Sequence, residues 1–112
     1  MKGSNLGEFE ELVLLTIVIL QEDAYILKIQ EELKNQANRS VVMGALHTTL
    51  SRLEKKGFLR SELGDATSQR GGRRKRLYEL TAAGKAVLRE VKELRENMYR
   101  SIPDYALKYS HG

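Results

Sequence analysis

Residues 12 to 20 read LVLLTIVIL. This run constrains the fold more than any other part of the chain. It is far too short to cross a bilayer as a helix. Extended back to residue 6, it forms a helix in which Phe9, Leu12, Val13, Thr16, Ile17 and Leu20 recur at helical spacing. Leu14, Leu15, Val18 and Ile19 fill the other side. A helix apolar nearly all round has to be covered on more than one face. The chain has 112 residues, 41% of them hydrophobic, which allows one modest core. The second face is therefore expected to meet another subunit. Glu8, Glu10 and Glu11 stand where the apolar centre of a secretory signal would lie, so none is expected. The absence of cysteine removes disulfides and thiolate metal sites and suits the cytoplasm.

Charge is the second constraint. The net charge is +4, and residues 70 to 76, RGGRRKR, hold five of the basic side chains. Without them the remainder is slightly acidic. The positive charge is thus one local feature, suited to an anionic partner docking at one place.

Around these features the pattern gives an ordered set of elements. Asp23 is expected to cap a second helix over 24 to 37, with Ile26, Ile29, Leu33 and Ala37 inward. A third helix spans 43 to 56 and stops at Gly57. Its back is Met43, Leu46, Leu50 and Leu53. Its front carries Gly44, Thr48, Ser51, Arg52 and Lys55, with Ala45 near the start and His47 on the flank. FLRSEL (58 to 63) and RKRLYEL (74 to 80) alternate as strands do, and the glycine-rich segment between them makes a hairpin with a long tip. Thr81 caps a last helix over 82 to 101, ended by Pro103. Val87, Val91, Leu94 and Met98 form a short coiled-coil-like seam on it.

The order helix, helix, helix, hairpin, helix is a mainly α chain with a small β-hairpin: a winged helix-turn-helix followed by a C-terminal dimerisation helix. Residues 1–81 would be the DNA-binding domain and 82–112 the dimerisation helix and tail. A helix fits the major groove and offers side chains to base edges. Gly44 and Ala45 allow close approach, His47, Thr48 and Ser51 offer polar groups, and Arg52 and Lys55 reach phosphate or guanine. In the wing, residues 64 to 76, Arg70, Gly71, Arg73, Arg74 and Lys75 would follow the DNA backbone or enter the minor groove, gaining affinity from released counterions. The expected dimer contact is Phe9, Val13 and Ile17 of the first helix with Val87, Val91, Leu94 and Met98 of the last.

Other readings of single features stay open. A basic string is often a solvated loop, and this one also fits a nuclear-localisation patch or an RGG-type RNA element. A winged-helix protein-interaction or RNA-binding module is the alternative function. Catalysis is not expected. His47 and His111 lack partners at metal-ligand spacing, the carboxylates lie among Lys and Arg on helix faces, and Gly71-Gly72 follows no phosphate-loop pattern. No cofactor, metal or membrane contact is expected.

LGEFEELVLL, the AY of residues 24 and 25, MGALHTTLSRLEKKGFL and RGGRRKRLYELTAAGKAVL together resemble the PadR family of bacterial transcription regulators. The similarity covers roughly residues 6 to 98. It implies a winged-helix repressor that binds a palindromic promoter site as a homodimer, built like the short members that have one helix after the wing. The sequence departs from the family pattern at His47, usually tyrosine, and at Leu77, often aromatic. Some short members hold flat aromatic compounds between subunits with a tryptophan of the last helix, and this chain has none. Met98, Tyr99 and Phe9 would have to line such a gap for a small aromatic effector at the dimer interface.

Overall fold

The computed structural model describes residues 6–64 and 74–108. The first helix, α1 (Glu8–Leu20), starts after Gly7. Glu10 reaches back to accept the Gly7 amide at 2.8 Å. With Glu8 and Glu11 it places negative charge at the positive end of the helix dipole. Gln21 takes a left-handed φ of 55° and opens a 3-10 turn, Gln21–Asp23.

The second helix, α2 (Ile26–Ala37), is capped by the backbone of Tyr25 and not by Asp23, which lies in the 3-10 turn. The reason is tertiary. The Tyr78 amide donates to the Ala24 carbonyl at 2.9 Å, and Tyr25 bridges Leu77. The segment before α2 is thus held as a short third strand, and the helix starts only after it. Asn38 closes α2 in the left-handed conformation.

Helix α3 (Met43–Lys55) ends as its sequence indicates. Gly57 has φ of 84°, its amide donates to Glu54 O at 3.0 Å, and the Phe58 amide donates to Leu53 O at 3.0 Å. These two bonds make a Schellman motif, which an L side chain at Gly57 would strain. Strands β1 (Leu59–Leu63) and β2 (Arg76–Leu80) pair antiparallel, with Leu59 opposite Leu80 and Ser61 opposite Tyr78. Leu59, Tyr78 and Leu80 turn into the core.

Thr81 caps α4 (Ala82–Arg100): its hydroxyl accepts from the Gly84 amide at 3.0 Å and donates to Gly57 O at 2.6 Å. A Cβ on Gly84 would stand 2.2 Å from the Phe58 carbonyl oxygen. Glycine is therefore required where α4 leaves the hairpin.

The core gathers Val13, Leu14 and Ile17 of α1, Ala24, Ile29 and Leu33, Leu46, Leu50 and Leu53 of α3, the strand residues and Val87. This corrects three members of the expected dimer contact. Val13, Ile17 and Val87 are 0%, 2% and 3% exposed within one protomer and offer no surface to a second. Phe9 is half-buried against the same core, beneath the Arg39 guanidinium. The second face of α1 is instead Leu15, Val18 and Ile19, all exposed. On α4 Val91 is half-buried, and the apolar side chains beyond it, Leu94, Met98 and Tyr99, are exposed. Arg95 of α4 pairs with Glu11 of α1 at 2.9 Å. The radius of gyration, 17.1 Å, exceeds the ~13 Å of a compact chain this long because the second half of α4 projects.

Candidate nucleic-acid interface

Burying Leu46, Thr49, Leu50 and Leu53 fixes how α3 is turned about its axis. The opposite face then has to be open. Gly44, Ala45, His47, Thr48, Ser51, Arg52 and Lys55 are all exposed, as their placement on the helix front requires. His47, Thr48, Ser51, Arg52 and Lys55 line a shallow depression of about 400 Å³. The Thr48 hydroxyl donates to Gly44 O at 3.0 Å, which leaves its oxygen free to accept. Gly44 has open space where a Cβ would go, so packing within the protomer does not call for glycine there.

A second depression, about 550 Å³, lies between the start of α2, the flank of α3 and the base of the hairpin. Its cations are Arg74, Lys75 and Arg76. Each is oriented by a neighbour. Arg74 Nε donates to Gly64 O at 3.0 Å. Lys75 Nζ sits 3.8 Å from the centroid of the Tyr25 ring, a cation–π contact. Arg76 donates to Ser61 Oγ at 3.1 Å, and Ser61 donates in turn to Glu54 at 2.9 Å. His47 lines both depressions. The front of α3 and the base of the hairpin therefore adjoin as one surface, polar and cationic on α3 and at Arg74, Lys75 and Arg76, with Tyr25, Ile26, Leu27 and Tyr78 also lining it. Arg70, Gly71 and Arg73 lie outside the described residues.

Beneath this surface is one buried carboxylate. Lys56 Nζ donates to Glu10 at 2.8 and 3.0 Å, and Arg52 Nη1 stands 3.6 Å from Glu10 Oε2. Burial pushes the Glu10 carboxyl up. The Gly7 amide, the Lys56 ammonium and the Arg52 guanidinium outweigh it and hold the group below the ordinary carboxylate range.

Tyr25 and Arg76 belong to this surface and Glu10 lies beneath it; none of the three stands out as a site residue in the sequence. Arg76 falls in the basic string and Tyr25 in the AY pair, which were the available signals. Glu10 had only its spacing from Gly7, because its cationic partners lie more than forty residues away. Among the described residues, no group of three or more His, Asp or Glu is placed to hold a metal ion, and no helix is long and apolar enough to cross a membrane.

The chain is similar to known proteins. The model of the transcriptional regulator PadR-like family matches residues 14–90. An uncharacterized protein of Lysinibacillus sphaericus is 39% identical over 82 residues, covering 70% of this chain and 72% of that one. Among solved structures, a PadR-like transcription factor from Bacteroides fragilis is 29% identical with a TM-score of 0.63, over 88% of this chain and 94% of that chain. A PadR family transcription regulator from Clostridium difficile is 25% identical with a TM-score of 0.61, over 89% and 99%. A PadR-like transcriptional regulator from Bacillus cereus, 22% identical with a TM-score of 0.70 over 90% and 93%, shares the fold. The winged-helix architecture and the extent of the family match agree: the chain belongs to the PadR-like family of transcriptional regulators and is a DNA-binding regulator, not an enzyme.

Proposed function

We propose that the protein is a repressor that binds a palindromic promoter site as a homodimer, with α3 in the major groove and the wing, residues 64 to 76, along the adjacent backbone. The observation that carries this reading is the single surface formed by the front of α3 and the base of the wing, joined at His47. Gly44 adds to it. Nothing inside the protomer calls for a glycine there. Close approach of an outside backbone would.

The homodimer is supported by what one protomer leaves uncovered. Leu94 and Met98 are 50% and 64% exposed, and Leu15, Val18 and Ile19 open on α1. Charge is complementary between the two helices. From Glu8 to Asp23 every charged residue is acidic, whereas α4 carries five basic residues and three acidic ones. A second copy that lays α4 along α1 would cover both apolar surfaces. The same proposal divides the chain into a DNA-binding domain, 1–81, and a dimerisation helix with tail, 82–112, and has it work in the cytoplasm. A planar aromatic effector at the dimer interface belongs to the same reading. Met98 and Tyr99 are the exposed side chains suited to it, and such a ligand regulates only by binding two arrangements of the dimer unequally.

The test is selection of bound fragments from the source genome in vitro, together with sedimentation of the free protein. The expected result is a dimer and a palindromic consensus with half-sites about one helical turn, roughly 34 Å, apart. Recovery of no consensus would replace this reading with an RNA-binding or protein-interaction module.

A further inference from the structure

Glu10 is part of α1, yet its cationic partners belong to the end of α3. The side chain is 7% exposed. Oε1 accepts from the Gly7 amide and from Lys56, and Oε2 from Lys56, with Arg52 Nη1 3.6 Å away. The two cations are not equivalent. Lys56 lies towards the protein, with a side chain 26% exposed. Arg52 is half exposed and lines the depression on the front of α3 with Thr48 and Ser51. Lys56 and the Gly7 amide already supply the carboxylate with a counter-charge and hydrogen bonds. The consequence of the third contact therefore falls on Arg52. An arginine on an open helix face samples many rotamers, and ordering it on binding costs affinity and selectivity. A buried anion beside its guanidinium restricts that freedom, the more strongly because the surroundings are poorly solvated.

We propose that Glu10 is a positioning residue for DNA reading: its buried carboxylate sets the Arg52 guanidinium over the front of α3 and makes that setting depend on where α1 lies. The inference rests on the reading role given to α3 above and adds a link. Because α1 is also a helix proposed to meet the second protomer, a shift at the dimer contact reaches a base-reading side chain through one ion pair.

The experiment compares the wild type, Glu10→Gln, Arg52→Ala and the double variant on the selected operator and on its single-base variants. Glu10→Gln keeps the shape and the Gly7 contact but removes the charge. It is expected to lose at least about fivefold discrimination at one base position. In the Arg52→Ala background it should have no further effect on discrimination, the non-additivity of two residues acting as a unit. A merely structural role would lower occupancy of every duplex alike, and do so in both backgrounds. That result, or unchanged discrimination, overturns the proposal. Wild-type protein that discriminates no duplex would sink the repressor reading itself, and this one with it. Wild-type discrimination that Glu10→Gln leaves untouched would sink only this one. Should Glu10→Gln fail to fold, the wild type serves. The Arg52 Nε–H resonance of the free protein should move with protonation of the Glu10 carboxyl, whose facing groups are the Gly7 amide, Lys56 and Arg52. An Arg52 signal indifferent to that titration overturns the proposal.

Discussion

Helix α3 is open along one face and α4 all round beyond Val91, and the open residues differ in kind. The open face of α3 is Gly44, Ala45, His47, Thr48, Ser51, Arg52 and Lys55, which water solvates readily. The open part of α4 carries Leu94, Met98 and Tyr99, which water does not. Free energy treats these differently. Polar and cationic groups at the surface of a monomer carry no penalty and become informative only through their arrangement. Exposed apolar groups on a projecting helix lose burial until a partner covers them. On the function proposed above, the first region describes a ligand and the second a second protomer. Equal exposure carries two meanings, separated by side-chain chemistry.

The largest expected effect breaks the α4 side alone. Leu94→Asp puts a charge into the proposed contact without touching the protomer core. Sedimentation should show a monomer with unchanged thermal stability per protomer, and operator affinity should fall at least about 100-fold as bivalence is lost. A dimer that persists would assign the contact elsewhere. Gly84→Ala does the reverse. Its Cβ collides with the Phe58 carbonyl, so denaturant titration should show a fold weaker by about 1–3 kcal/mol, with the second face of α1 and the end of α4 unaltered. No loss of stability would mean that α4 can tilt away from β1.

The polar side divides further. Replacing Thr48 or Arg52 with alanine should change preference among sequences by about 1–3 kcal/mol for each lost base contact. Arg74→Ala should weaken binding to all duplexes alike and reduce the salt slope by about one unit. Competition among single-base variants over a salt series separates the two, and swapped outcomes would exchange the roles of helix and wing. The smallest effect is in pH. The folded Glu10 carboxyl titrates below its ordinary range of about 4.5. Its contribution to stability is therefore complete above that range and is lost as pH falls through the folded value. Wild type should lose stability between pH 5 and lower values more steeply than Glu10→Gln, measured by denaturant titration at each pH. Parallel curves would show that the Glu10 charge contributes nothing to the fold.

Much of the fold was legible because its signals are local. Gly57 and Phe58 end α3 through bonds to Glu54 and Leu53, and Thr81 caps α4 through Gly84. Both lie within a few residues of their partners. What failed depended on distant partners. Asp23 reads as a cap until Ala24 and Tyr25 are seen paired with Tyr78 and Leu77. Val13, Ile17 and Val87 were assigned to the dimer because periodicity identifies an apolar face but not the neighbour that covers it. The same chain covers them, and the second face of α1, Leu15, Val18 and Ile19, was equally visible as periodicity. The polar face of α3 emerged as read because the buried positions of a helix determine the exposed ones. Glu10 and Tyr25 escaped notice since a carboxylate and a phenol acquire a role only from what folds against them.

The junction at Phe58 has a mechanical meaning. Thr81 is hydrogen-bonded to Gly57 at the end of α3, Gly84 touches the Phe58 carbonyl, and β1 starts at the next residue. The end of α3, the root of the wing and the root of α4 meet at one pivot. A 19-residue helix leaving it is a lever about 28 Å long. A tilt of about ten degrees moves its far end by roughly 5 Å, and the reading surface turns with it as a block. Each residue added to or removed from α4 before Leu94 would rotate the grip on the partner by about 100° and shift it by about 1.5 Å. In the proposed dimer the spacing between the two reading surfaces then depends on lever length and angle, adjustable without altering any residue of the proposed DNA-reading face.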